Sequence, residues 1–105
     1  MLRKTKIICT IGPSVRSYEK ILQLIDAGMN VARLNFSHGS PQEHQETIEM
    51  LKKARKEKAV PLAIMLDTKG PEIRLGVIKD NYLEVFSKKK ILITKEEVLG
   101  DANGI

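Results

Sequence analysis

The chain has 105 residues, with 18 Lys or Arg against 13 Asp or Glu and a formal net charge of +5. This length holds one ordinary domain and excludes a complete large multi-domain enzyme. With 42% hydrophobic and 30% charged residues, the chain is too apolar for disorder, and no stretch approaches the ~20 apolar residues of a membrane span. Four aromatic residues, Tyr18, Phe36, Tyr82 and Phe86, offer little for base stacking. The basic runs at Lys52 to Lys58 and Lys88 to Lys90 read as a helix terminus and a hairpin loop, so nucleic acid is not the expected partner. The single cysteine, Cys9, cannot form an internal disulfide and fits a reducing, cytoplasmic setting. Its apolar neighbours make it a small buried hydrophobe.

Thr5 to Ile11 reads as a buried strand stopped by Gly12-Pro13. Tyr18, Ile21, Leu22 and Ile25 recur at helical spacing, with Ser17 as N-cap and Gly28 just past the end. A second strand spans Asn30 to Leu34. Ser40-Pro41-Gln42-Glu43 combines a capping box with Pro at the first helical position and starts a helix to about Lys56. Its inner face is expected to be His44, Thr47, Ile48, Leu51 and Ala54. Leu62 to Leu66 is a continuous apolar run, as in a strand covered on both faces. Strand, helix, strand, helix, strand is the order of a parallel α/β sheet. Beyond Asp67 the rhythm changes to strand-like pieces without helices, at Val77-Ile78, Tyr82 to Phe86 and Ile91 to Thr94. A boundary near Pro71 to Gly76 then divides a first region, 1–71, from the start of a small β module, 72–105.

In parallel α/β folds the ligand groups gather at the carboxyl ends of the strands. Those ends are Thr10-Ile11-Gly12-Pro13, Arg33 to Gly39 and Asp67 to Arg74, and all three are polar, whereas Ala27-Gly28-Met29 and Ala59-Val60-Pro61 at the opposite ends are bland. Asn35, Ser37 and Asp67 are hard oxygen donors suited to an alkali or alkaline-earth cation. Arg33, Lys69 and Arg74 are cationic donors suited to phosphate. Together they point to metal-assisted phosphoryl chemistry. Each has a plainer reading: Asn35, Ser37 and Gly39 as the turn into the second helix, His38 as a loop residue, Asp67 as a local cap, Glu72 and Arg74 as an exposed pair. His38 and His44 are six apart with no Cys beside them, a poor zinc set. Neither a Walker loop nor Gly-x-Gly-x-x-Gly is present.

Three strings carry a family resemblance: Thr10-Ile11-Gly12-Pro13, the run from Gly28 to Gly39, and Leu66 to Arg74. In order and spacing they resemble the N-terminal signatures of the pyruvate kinases, strongly over 4 to 76 and weakly from Val77 onward. The resemblance implies the first three βα units of a TIM (β/α)8 barrel followed by the start of a β-barrel lid domain. It implies a glycolytic phosphotransferase that moves the phosphoryl group of phosphoenolpyruvate to ADP, giving pyruvate and ATP, with Mg2+ and K+ as cofactors and a homotetrameric full-length protein. Carried over, Arg33 would contact the substrate phosphate; Asn35, Ser37, Asp67 and the Thr68 carbonyl would hold K+; Asn35, His38 and Arg74 would line the nucleotide side; Glu72 looks like the acidic residue of K+-dependent members. The family's transferring lysine and Mg2+ carboxylates would lie beyond position 105, so these residues by themselves are expected to be inactive. The competing expectation is a stand-alone phosphate-binding or interaction module, which would need its open sheet edge covered.

Overall fold

The computed structural model describes residues 3–105, which divide into two compact units at Gly70 and Pro71. The first unit is a three-stranded parallel sheet in the order β1 (Ile8–Thr10), β2 (Val31–Asn35), β3 (Ala63–Asp67). Its strands are joined by α1 (Tyr18–Asp26) and α2 (Pro41–Lys58). An α/β fold with parallel strands is thus what the alternation of apolar runs and helical periods produces.

Both helices start where their side chains supply a cap. Ser17 Oγ accepts from the Lys20 amide at 3.3 Å. At α2, Ser40 Oγ accepts from the Glu43 amide at 3.2 Å and Glu43 Oε2 accepts from the Ser40 amide at 2.8 Å, so the capping box closes in both directions. α1 ends at Ala27 and turns on Gly28 at φ +110°, a conformation that favours glycine. α2 runs two residues further than expected and ends on Ala59, which adopts the left-handed conformation without being glycine.

One core holds the unit together: Ile21 and Ile25 from α1, Leu51 and Ala54 from α2, and Ala32 and Leu34 from β2, with Ile11, Met29 and Leu62. Thr47 is buried with them and donates its hydroxyl to the Glu43 carbonyl at 2.8 Å. Outside the core, the helices are tied by Tyr18 donating to Glu57, by Lys53 over the Tyr18 ring at 4.5 Å, and by Lys58 to Asp26 at 2.8 Å. Arg55 donates to the Leu62 carbonyl at 3.0 Å. Much of the basic run at the end of α2 is thereby engaged locally.

The outer strands differ from expectation. β1 is shorter than Thr5 to Ile11, because before it the chain is pinned by Asn30, whose Oδ1 accepts from the Ile7 amide at 2.8 Å. Ile8 is 56% exposed and Cys9 only partly buried. β3 is not covered on both faces: Leu66 is 52% exposed. The cause is position, since β2 is flanked by two strands while β1 and β3 are edges, and only β2 buries its alternate residues fully.

In the second unit the expected strand at Tyr82 to Phe86 does not form. Lys79–Asn81 makes a tight turn in which Asp80 has φ +59°, and pairing is limited to isolated parallel bridges, Ile78 with Gly100 and Leu92 with Gly104. The common partner is the last stretch of chain. Gly100 donates to the Val77 carbonyl at 2.9 Å and its own carbonyl accepts from the Lys79 amide at 2.9 Å, while Ile105 donates to Leu92 at 2.8 Å and accepts from Thr94 at 2.9 Å. Tyr82, Val85 and Phe86 are left without a ladder and are all exposed.

Candidate functional site

Strand register decides which side chains meet. Thr10 is opposite Arg33 and Asn35 is opposite Asp67. Because side chains alternate, Thr10, Arg33, Asn35, Met65 and Asp67 share one face of the sheet, and Ala32 and Leu34 point the other way into the helical layer. Apolar residues therefore serve the core from one face while the polar ones collect at the carboxyl end of the other.

Arg33 is the centre of that group. Its Nε donates to Asp67 Oδ2 at 2.9 Å and one terminal nitrogen to the same oxygen, while the other terminal nitrogen donates to Thr10 Oγ1 at 3.0 Å. The guanidinium is therefore held from both neighbouring strands, with its side chain 28% exposed. Asp67 is nearly half exposed, and its Oδ1 has no hydrogen bond among the described residues. Thr10 was legible in the sequence only as part of a string; its role as a brace for Arg33 depends on β1 pairing in register with β2.

The segment after β2 turns tightly. Asn35 Oδ1 accepts from the Ser37 amide at 3.1 Å, and the Asn35 carbonyl from the His38 amide at 3.3 Å. The Phe36 amide donates to the Asp67 carbonyl at 2.9 Å, so β3 supports the turn as well. Asn35 and Ser37 thus form the turn into α2 and stand on the same edge as Asp67. His44, expected on the buried face of α2, is half-buried and stacks on Phe36 instead, with ring centroids 4.2 Å apart. Below it Arg16 donates to Glu43 Oε1 at 3.1 Å. The Ser40 amide and Arg16 hold the Glu43 carboxyl below the usual carboxylate range. The sequence marks His44 only as an inner-face residue and does not single out Arg16, because each acts across a turn whose course only folding sets.

Thr68, Lys69 and Gly70 follow β3 as exposed chain. Glu72 and Arg74 belong to the second unit, where Arg74 Nε donates to Glu72 Oε2 at 2.7 Å and a terminal nitrogen to Oε1 at 3.2 Å. That bidentate pair holds Arg74 more firmly in its charged form. Among the described residues there is no group of three or more His, Cys, Asp or Glu side chains that could hold a metal, and no helix is long and apolar enough to cross a membrane. The oxygen-rich strand ends are a different donor set, one of amide, hydroxyl and carboxylate oxygens suited to a hard cation.

A parallel sheet backed by helices, with a braced arginine and oxygen donors at its carboxyl edge, defines an α/β protein. Comparison with known proteins makes the class specific. The family profile described as pyruvate kinase, barrel domain, matches residues 2–104. The chain is 55% identical over 104 residues to the pyruvate kinase of Chlamydia pneumoniae, covering 99% of this chain and 21% of that protein. It is 51% identical over 100 residues to that of Geobacillus stearothermophilus, covering 95% and 17%. A Cryptosporidium parvum pyruvate kinase solved in complex with ADP matches with a TM-score of 0.78 at 46% identity, over 97% of this chain and 21% of that one. The chain belongs to the pyruvate kinase family. It spans about a fifth of the length of such relatives.

Proposed function

We propose that this chain supplies the first three βα units of a (β/α)8 barrel and the opening of a β lid domain in a pyruvate kinase, which transfers the phosphoryl group of phosphoenolpyruvate to ADP. The observation that carries the reading is the braced Arg33. A guanidinium held by Thr10 and Asp67 from both sides is preorganised to receive a phosphate through its exposed edge, with little entropy left to lose. Neutralising and orienting the phosphoryl group is most of what phosphoryl transfer asks of a protein.

Asn35, Ser37, Asp67 and the Thr68 carbonyl would hold K+, and Asp67 Oδ1, which has no hydrogen bond among the described residues, fits that donor role. When bound, K+ and Mg2+ supply positive charge against the phosphates. Asn35 and His38 would face the nucleotide, and the resemblance gives Arg74, taken by itself, a nucleotide-binding role as well. Glu72 acts through Arg74, fixing its guanidinium. The ADP complex of the Cryptosporidium parvum relative supports nucleotide as the second substrate. The transferring lysine, the Mg2+ carboxylates and the tetramer contacts are assigned outside these 105 residues.

The test is production of pyruvate from phosphoenolpyruvate and ADP by the full-length protein, with Mg2+ and with K+ present or replaced by a large organic cation. Activity that depends on K+ and falls steeply in Arg33→Lys supports the reading. The 105-residue polypeptide should show none. Turnover by that polypeptide alone, or an Arg33→Lys enzyme with unchanged phosphoenolpyruvate kinetics, contradicts the assignment.

A further inference from the structure

The turn from Phe36 to Gly39 carries groups assigned above to the cation and the nucleotide, yet it is exposed at His38 and Gly39 and has few bonds of its own. It is held from below by α2. His44 Nε2 lies 2.6 Å from the His38 carbonyl oxygen; a carbonyl only accepts, so Nε2 carries the proton and donates. The same ring stacks on Phe36 with an interplanar angle of 15°. Between these two anchors Gly39 adopts φ +78°, and a Cβ there would stand 3.2 Å from His44 Nε2 and 3.1 Å from Glu43 Oε2. The turn is therefore folded closely onto the first turn of α2, with one ring gripping it by a face and by an edge. Arg33 has separate supports, Thr10 and Asp67, and none of its bonds passes through His44.

From this division we infer that His44 is a positioning residue: it fixes the Phe36 to Gly39 turn, and through it the cation and nucleotide groups, while leaving the phosphate arginine unaffected. The inference rests on the functional reading above for the identity of the ligands, but not for the mechanical role. His44 is not among the residues assigned to substrate or cation, and its ring contacts are with His38 and Phe36. Its removal should separate two binding events that a general loss of folding would weaken together.

The experiment compares His44→Phe, which keeps the stack and loses the donor, with His44→Gln, which keeps a donor at similar reach, both in the full-length enzyme. Loss of a hydrogen bond to a site support corresponds to roughly three- to tenfold in the parameter it governs. We expect His44→Phe to raise the KM for ADP and the half-saturating K+ concentration by about that factor, the phosphoenolpyruvate KM to stay within about twofold, and His44→Gln to recover most of the loss. Unchanged ADP and K+ dependence in His44→Phe overturns the inference, and so does a parallel rise in all three constants with a lowered Tm. If the wild-type protein makes no pyruvate, the functional reading has failed; amide hydrogen exchange then decides the positioning role. Faster exchange confined to residues 36–39 in His44→Phe sustains it, and unchanged exchange there refutes it.

Discussion

The two units carry similar apolar material and use it differently. In residues 3–70, Ile21, Leu34 and Leu51 are almost completely removed from water; in the second unit, Ile73, Leu75, Val77, Tyr82 and Phe86 are all exposed, Ile73 fully so. The contrast is one of topology rather than composition. A βα unit brings its own cover, because each helix returns along the sheet and buries one face with residues close in sequence. A β module has no such local partner, and its strands become strands only when others pair with them. Unit 2 has two isolated bridges and the final residues as their shared partner.

Mutation should make that difference quantitative. Leu51→Ala in the fully buried centre of the first unit is expected to cost about 2–5 kcal/mol in urea unfolding. Ile73→Ala, on a side chain fully in water, should stay within about 0.5 kcal/mol. Equal costs would mean that Ile73 is covered in solution and the contrast is false.

The two arginines sharpen the comparison at the site. Arg33 is held across three strands, whereas Arg74 is held by a residue two positions away. In the full-length enzyme, Arg33→Lys should lower kcat/KM for phosphoenolpyruvate by at least about tenfold, because lysine cannot reproduce the fork. Arg74→Lys should act on ADP instead, raising its KM by about threefold. A reversal of these specificities would reassign both residues.

Smaller effects test the helix start beneath the site. Ser40→Ala removes the cap on the Glu43 amide and should destabilise the first unit by about 1 kcal/mol in thermal or urea unfolding. Glu43 adds a pH signature. Its carboxyl titrates below the ordinary value of 4.5 because the Ser40 amide and Arg16 favour the charged form. Its stabilising contribution is therefore complete above 4.5 and is lost as pH falls through the lower folded value. A Tm profile of Glu43→Gln should lack that part of the acid slope, lying below the wild-type curve above pH 4.5 and converging with it as the pH falls.

Much of the first unit was legible beforehand. Ser40 and Glu43 announce a helix start by local chemistry, Gly28 a helix end, and alternating helical and continuous apolar periods a parallel sheet; each of these is decided within a few residues. Thr47, Leu51 and Ala54 on one helical face followed in the same way. His44 did not, since facing inward along a helix does not say whether a core or a loop will be met there. Ile8 and Leu66 failed for a related reason: an apolar run predicts burial only if something lies against it, and edge position is a property of the whole sheet. The expected strand from Tyr82 to Phe86 failed because β pairing is a contract between distant segments.

The amino-acid sequence by itself determined the class of fold and the chemical inventory of the strand ends, because helix caps, periodicity and residue type act locally. The tertiary structure decided which of those groups meet. Register alone put Thr10 and Asp67 on either side of Arg33, and the packing of the Phe36 to Gly39 turn alone put His44 beneath the site. Such contacts join residues far apart in the chain or across a reversing loop, and their geometry exists only once the sheet and its helices are assembled.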